Sequence, residues 1–182
     1  MYRTSPNANL GRSSQIFQVW IRPLRNNNDA HFATRVAMYE LHHMIKHGLT
    51  KEQFEGTRNY LMKYAGLLVK SQDRILDYAL DSEYYNIDEF TQYVKKGLSE
   101  LTLEQVNKVI IENLQEENIQ FVFITKDGED MKSRLVGEQI SPMEYNSEKS
   151  EELLKKDKFL QSYPLNINNE NVEVVPVEKV FD

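Results

Sequence analysis

The 182-residue chain contains no cysteine. This absence excludes disulfides, thiolate zinc sites, iron–sulfur clusters and cysteine nucleophiles from the chain itself. It also lacks any run of about 18 apolar residues, so the sequence predicts no membrane span. Residues 1–10 have no apolar core of the kind found in signal peptides. A glycine-rich phosphate cradle is missing as well, since Gly56 and Gly66 stand alone in the sequence.

Positive charge is not in excess. The chain has 28 acidic and 22 basic residues, for a net charge of −6, and the basic residues are interleaved with Glu and Asp. A nucleic-acid-binding face concentrates Lys and Arg, so we expect no nucleic-acid partner. The composition is 40 % apolar and 10 % aromatic, which supplies enough material for a core in a domain of this length.

Two segments are rich in β-branched and aromatic residues. Residues 14–23 and 118–125 both predict strands buried in a sheet, and residues 172–181 predict an edge strand interrupted by Pro176. Two buried strands cannot form a stable sheet alone. We therefore expect partner strands outside this chain, and a sequence truncated on its N-terminal side.

Helical periodicity fills most of the remaining chain. The first expected helix covers residues 30–45 with Gly48 as its C-cap, and a second starts at Thr50. A third covers residues 72–85, with Ile75, Leu76, Ala79 and Leu80 facing inward. The remaining expected helices are one capped by Asp88, one that opens with a capping box at Thr102, and a short one capped by Asp127. The predicted fold class is α/β (α+β), with an antiparallel sheet covered by a helical layer. Residues 1–137 would form this lobe, and residues 138–182 a C-terminal extension that packs back on it.

The histidines near residue 45 are the best candidate for a metal site. His43 and His47 are four residues apart, the spacing at which two imidazoles reach one metal ion. Met44 and Lys46 stand where H-E-x-x-H and H-x-x-E-H require glutamate, and Glu40 is at most a third ligand. The alternative is a polar helix end, where histidines interact with the helix dipole. We assign no metal ligand in this chain.

No catalytic residue is assigned either. A nucleophile elbow is absent, His31 has no evident role, and residues 127–130 predict a turn and helix cap rather than a calcium loop. Two tyrosine groups, Tyr60 with Tyr64 and residues 84–85 with Tyr93, are interpreted as core, with a peptide-gripping surface as the alternative.

The order of these segments resembles the C-terminal half of the pitrilysin/insulinase family of zinc metallopeptidases. The motifs that carry the resemblance are the strand 15–23, Asp29-Ala30-His31-Phe32, Gly48-Leu49-Thr50 with Glu52 and Phe54, Asp81, Tyr84-Tyr85, Leu101-Thr102, Val106-Asn107, the strand 121–125 with Asp127, and the closing stretches 145–149, 163–165 and 175–181. The closing stretches resemble those of bacterial members.

This resemblance implies a two-lobed peptidase that closes around an unfolded peptide. The zinc ion and its H-x-x-E-H motif would lie in the N-terminal half of the parent protein, so this chain would carry no cofactor and would be inactive alone. Its partners would be that catalytic lobe and the peptide substrate, with self-association through exposed strand edges. A periplasmic or other extracytoplasmic location follows if the parent carries a signal peptide.

Two other functions remain open. The same family contains non-catalytic members that act as scaffold or assembly subunits, and the upstream sequence distinguishes them from peptidases. A third hypothesis is a free-standing helical interaction module. This hypothesis predicts a monomer without an exposed sheet edge.

Overall fold

The computed structural model describes residues 17–180, and this part of the chain is helical. Seven α-helices are followed by two short 3₁₀ turns. They are α1 (Asn27–His47), α2 (Lys51–Leu68), α3 (Gln72–Tyr85), α4 (Phe90–Glu100), α5 (Leu103–Asn113), α6 (Gly128–Val136) and α7 (Glu151–Leu160), with the turns at Asn169–Asn171 and Val177–Lys179. No described helix has both the length and the apolar character needed to cross a bilayer.

The predicted antiparallel sheet is wrong for residues 17–180. Residues 17–24 contain a single isolated bridge at Val19, and residues 118–125 form no strand. Residues 172–180 contain one 3₁₀ turn, Val177–Lys179, in place of an edge strand. The first part of the earliest predicted strand lies outside the described residues. β-Propensity marks a segment that fits a pleated, half-buried surface, but a strand also needs a partner backbone. These segments therefore have the composition of strands but, among residues 17–180, no partner backbone with which to form a ladder.

Capping chemistry set several helix starts as predicted. The Thr50 side chain accepts from the Gln53 N–H while the Gln53 side chain accepts from the Thr50 N–H, and Thr102 and Gln105 repeat this capping box. Asp127 caps α6, as expected.

The cap of α4 differs from the prediction by one residue. Glu89, rather than Asp88, is the N-cap, and its carboxylate accepts from the Thr91 and Gln92 N–H groups. The Thr91 hydroxyl also donates to this carboxylate, and that bond, followed by those from the two N–H groups, keeps the pKa of Glu89 below its usual range.

The described residues form two compact units. The first unit comprises residues 17–43 and 115–180, and the second comprises residues 44–114. The buried apolar residues of the first unit are Phe32, Leu41, Met131, Leu135 and Leu160, and those of the second are Phe54, Ala65 and Ile110. Residues 138–180 share a unit with 115–137, while the division into a lobe and an extension at residue 137 stays a prediction.

Helix α3 does not bury its apolar side. Ile75, Leu76 and Leu80 are 52 %, 59 % and 60 % exposed, although the sequence predicted them to face inward. Helix α4 packs against both α2 and α3, yet neither α3 nor α4 has a buried residue. The second unit therefore leaves much of its amphipathic helical surface uncovered.

Candidate functional site

The histidines predicted as the best metal candidate lie at the end of α1 and are exposed. His43 is 6.0 Å from the Tyr39 ring, centroid to centroid, at an angle of 45°. Lys46, which stands where a glutamate base would be needed, is exposed as well. Within residues 17–180, no three His, Cys, Asp or Glu side chains are grouped closely enough to hold a metal ion. That the whole chain binds no metal stays a prediction.

A histidine that the sequence did not single out has an acidic partner. His42 Nδ1 lies 2.7 Å from Glu116 Oε1, and both side chains are partly exposed. This pair joins α1 to the segment that follows α5. No spacing rule could have found it, because the residues are 74 positions apart.

Aromatic rings surround the same stretch of α1. The Tyr39 ring meets the rings of Phe159 and Tyr163 edge-on, at centroid distances of 5.6 and 5.5 Å. Lys156 donates to Glu40 at 2.7 Å, and its ammonium lies 5.6 Å from the Tyr39 ring centre. Burial, followed by the charge of Glu116, raises the pKa of Tyr163. These contacts fix α7 against α1 through an amphipathic and charged seam.

The two tyrosine groups predicted to line a core are largely exposed. Tyr60 stacks on Tyr64 at 5.5 Å, and Tyr84 meets Tyr85 edge-on at 4.9 Å. Tyr60 is 59 % and Tyr84 82 % exposed, and Tyr93 lines an open groove of about 660 Å³ between the end of α3 and α4. The alternative interpretation, a surface able to contact a peptide, fits their positions better.

Helix α1 carries a buried arginine that binds the chain after α6. The Nη1 group of Arg35 donates to the Gln139 carbonyl at 2.8 Å, to Ser141 Oγ at 2.9 Å and to the Gln161 carbonyl. Arg35 is 1 % exposed and Ser141 is fully buried. Burial lowers the pKa of Arg35, opposed by the charge of Glu138. We call Arg35, Ser141 and the two carbonyls the Arg35 clasp.

Asparagines at the start of α1 bind a second part of the same unit. Asn27 Nδ2 donates to the Asp127 carbonyl and to Asp130 Oδ2, both at 2.8 Å, and Asn28 Nδ2 donates to the Pro142 carbonyl at 2.8 Å. The tertiary fold uses the same side chains to connect α1 with α6 and the chain beyond it.

His31 lies one turn before Arg35 and is fully buried. Neither ring nitrogen has a hydrogen-bond partner among the described residues. Burial, then the charges of Arg35 and Arg134, lowers the pKa of His31 to about 4, with Glu138 opposing. The imidazole is therefore neutral at pH 7, although sequence patterns indicated no role for His31.

The two former strand candidates each expose apolar side chains in the first unit. Ile124 is 100 % and Val122 78 % exposed, and Trp20 and Ile21 are 43 % and 42 % exposed. The Phe121 and Phe123 rings stack at 6.3 Å on the less exposed side of their segment. We call residues 17–21 and 119–125 the extended apolar segments.

Comparisons with known proteins leave the family open. No protein-family model, no curated protein and no solved structure matches the chain. Membership of the pitrilysin/insulinase family stays a prediction that depends on the order of sequence motifs.

Proposed function

We propose that this chain is a non-catalytic, substrate-chamber lobe of a zinc-dependent metallopeptidase, with the catalytic lobe in another part of its parent protein. Zinc in that other lobe would supply the Lewis acid and activate water for peptide hydrolysis. The present chain would bind and position the peptide and help to enclose it. The sheet once expected within this chain forms no part of the proposal.

The exposure of residues 119–125 is the observation that carries the proposal. Single exposed apolar residues are normal on protein surfaces, whereas a contiguous apolar stretch marks an interaction site. Val122 and Ile124 project an apolar side that no described residue covers. A segment of strand-like composition that lies in no ladder can also pair with a strand of another chain. Both properties favour a lobe whose exposed apolar residues are covered by another part of a larger protein.

The second unit supports the same interpretation. The apolar side of α3 is more than half exposed at Ile75, Leu76 and Leu80. An independent helical module would cover such a side with its own residues, because amphipathic helices gain most of their stability from packing that side. A lobe of a larger protein can leave it for a neighbouring part of the parent.

Peptide binding would fall to the exposed aromatic residues. Tyrosine offers a large rigid ring with a polar end, a combination common where proteins grip peptides. Tyr84 is exposed, and Tyr93 lines the groove beside α4. These residues would contact the substrate without taking part in bond cleavage.

The test combines an activity assay with a binding assay. We expect the purified chain to cleave no peptide and to hold no stoichiometric zinc, and we expect it to bind the separately produced N-terminal half of its parent. Ile124→Asp should weaken that binding at least tenfold, because the charge would be desolvated in the contact. Val177→Asp is the matched control, since Val177 is an exposed valine of the same unit outside the extended apolar segments.

Three results bear against the proposal in different ways. Chelator-sensitive peptide hydrolysis by the chain alone would overturn its non-catalytic role. Equal binding by the Ile124 and Val177 variants would remove the interface. Binding to an N-terminal half that lacks H-x-x-E-H would leave the interface intact and assign the chain to a scaffold subunit instead.

A further inference from the structure

Arg35, the donor of the Arg35 clasp, lies close to His31 on α1. Arg35 follows His31 by four residues, so the two side chains lie on one helix side. Both residues are buried. The clasp holds residues 139–161 through three acceptors, and the Ser141 N–H donates to the Gln161 carbonyl at 3.0 Å. Whatever changes the charge beside Arg35 therefore acts on this whole segment.

Neutral imidazole is the only form that this position accommodates well. A protonated His31 would carry two N–H donors, and no described residue accepts from either nitrogen. A buried charge without partners is expensive, and such a group normally stays neutral or moves to water. His31 is 0 % exposed, so it reaches water only if its surroundings open.

The charges around His31 reinforce this conclusion. Arg35 on α1 and Arg134 on α6 both act against its protonation, and Glu138 after α6 acts for it. Asp130 already binds Arg134 at 2.9 Å. Glu138 is engaged too, because its carboxylate accepts from the Leu165 and Asn166 N–H groups at 3.2 and 2.9 Å.

We propose that His31 is an acid-sensitive latch, and that its protonation releases the Arg35 clasp and loosens residues 138–166. A third cation beside Arg35 and Arg134 repels both and needs water, and the segment beyond α6 is the part that the clasp holds in place. The latch belongs to the first unit, so residues 44–114 keep their helices when it opens. This device is independent of the proposed peptidase role.

Hydrogen–deuterium exchange on the full chain tests the latch. The reporters are the N–H groups of Ser141, Leu165 and Asn166, each of which donates a hydrogen bond within residues 138–166. Exchange is measured at pH 7 and at pH 4.5 and corrected for the intrinsic exchange rate. We expect the equilibrium constant for local opening to increase on the order of 50-fold at the lower pH, because the imidazole binds a proton more tightly when it is exposed to water than when it is buried. Exchange of the amide protons of α2 should increase far less over the same pH range.

His31→Leu is the matched variant, since it fills similar space and cannot be protonated. It should show less than a fivefold change over the same pH range at all three reporters. If it does not fold, His31→Gln replaces it, and the readout is again the change with pH rather than absolute stability. Equal acid sensitivity of wild type and variant overturns the proposal. So does an NMR titration in which His31 becomes charged while the three amides stay protected.

Discussion

Gly48 and Asn107 are so close that a Cβ atom on Gly48 would lie 2.6 Å from Asn107 Cγ. Gly48 also has a φ of +69°, which ends α1 in the left-handed region. Asn107 uses the space thus left to bind the next residue twice. The Leu49 N–H donates to Asn107 Oδ1 at 2.8 Å, and Asn107 Nδ2 donates to the Leu49 carbonyl at 3.2 Å. The joint between α1 and α2 is thereby fixed to α5.

Gly48→Ala should destabilise the chain by about 1–3 kcal/mol. The left-handed conformation costs an L-residue roughly 1–2 kcal/mol, and the new methyl group displaces the Asn107 amide. Urea denaturation monitored by circular dichroism measures the change in the free energy of unfolding. Gly56→Ala is the control: Gly56 lies within α2 with nothing near its Cβ position, so alanine should stabilise by about 0.5–1 kcal/mol. Equal effects from the two variants would contradict this account.

Arg35→Met should lower the free energy of unfolding by about 2–4 kcal/mol. The substitution removes a donor shared by three acceptors, one of them the hydroxyl of the buried Ser141, and an unsatisfied buried polar group costs about 1–3 kcal/mol. Arg58→Met is the comparison, since Arg58 pairs with Glu55 on a partly exposed helix surface and should cost less than about 1 kcal/mol. Thermal or urea denaturation of both variants checks the order. A smaller loss at Arg35 than at Arg58 would show that the clasp does not stabilise the first unit.

Tyr145→Phe should cost about 1 kcal/mol at pH 7 and nothing at high pH. The Tyr145 hydroxyl donates to Asp157 Oδ2 at 2.6 Å, and this bond, with burial, raises the pKa of Tyr145 to about 12. The folded pKa lies above the unfolded value of about 10. The contribution is therefore complete below pH 10 and is lost as pH rises from about 10 to 12.

The measurement for Tyr145 is the stability difference between wild type and variant at pH 7 and pH 11. Tyr84→Phe is the control, because Tyr84 is 82 % exposed. A difference between wild type and Tyr145→Phe that does not shrink at pH 11 would argue against the Asp157 bond as its source.

The isolated chain should self-associate through the extended apolar segments. Residues 119–125 carry no charge, so two copies can pair there without like-charge repulsion, and unpaired extended backbone recruits other chains. Sedimentation velocity should show concentration-dependent association of the wild type and less of Ile124→Asp. Stability should hardly change in this variant, since Ile124 is 100 % exposed. A strictly monomeric wild type at high concentration would count against the prediction.

Local patterns in the sequence were enough to place most helices. The Thr50 and Thr102 capping boxes, the Asp127 cap and the extent of α3 follow from neighbouring residues, because a helix satisfies its hydrogen bonds within its own segment. Gly48 was likewise predictable as the end of α1, since few residues tolerate positive φ.

Partners distant in sequence were not predictable. Nothing beside Arg35 indicates that its guanidinium will bind residues 104 to 126 positions later. The wrong strands have the same origin, because residues 119–125 have the right composition but a strand exists only when another backbone pairs with it. The inward side assigned to α3 failed for the same reason: periodicity locates an apolar side but does not say what covers it.

The amino-acid sequence alone thus determined where most of the helices lie, and the absence of cysteine chemistry. Tertiary structure alone decided that His31 and Arg35 would be buried together, that Asn107 would bind the α1–α2 joint, and that residues 119–125 would stay unpaired. Capping and helical hydrogen bonds connect residues three or four positions apart, whereas burial and strand pairing depend on residues that only folding brings together.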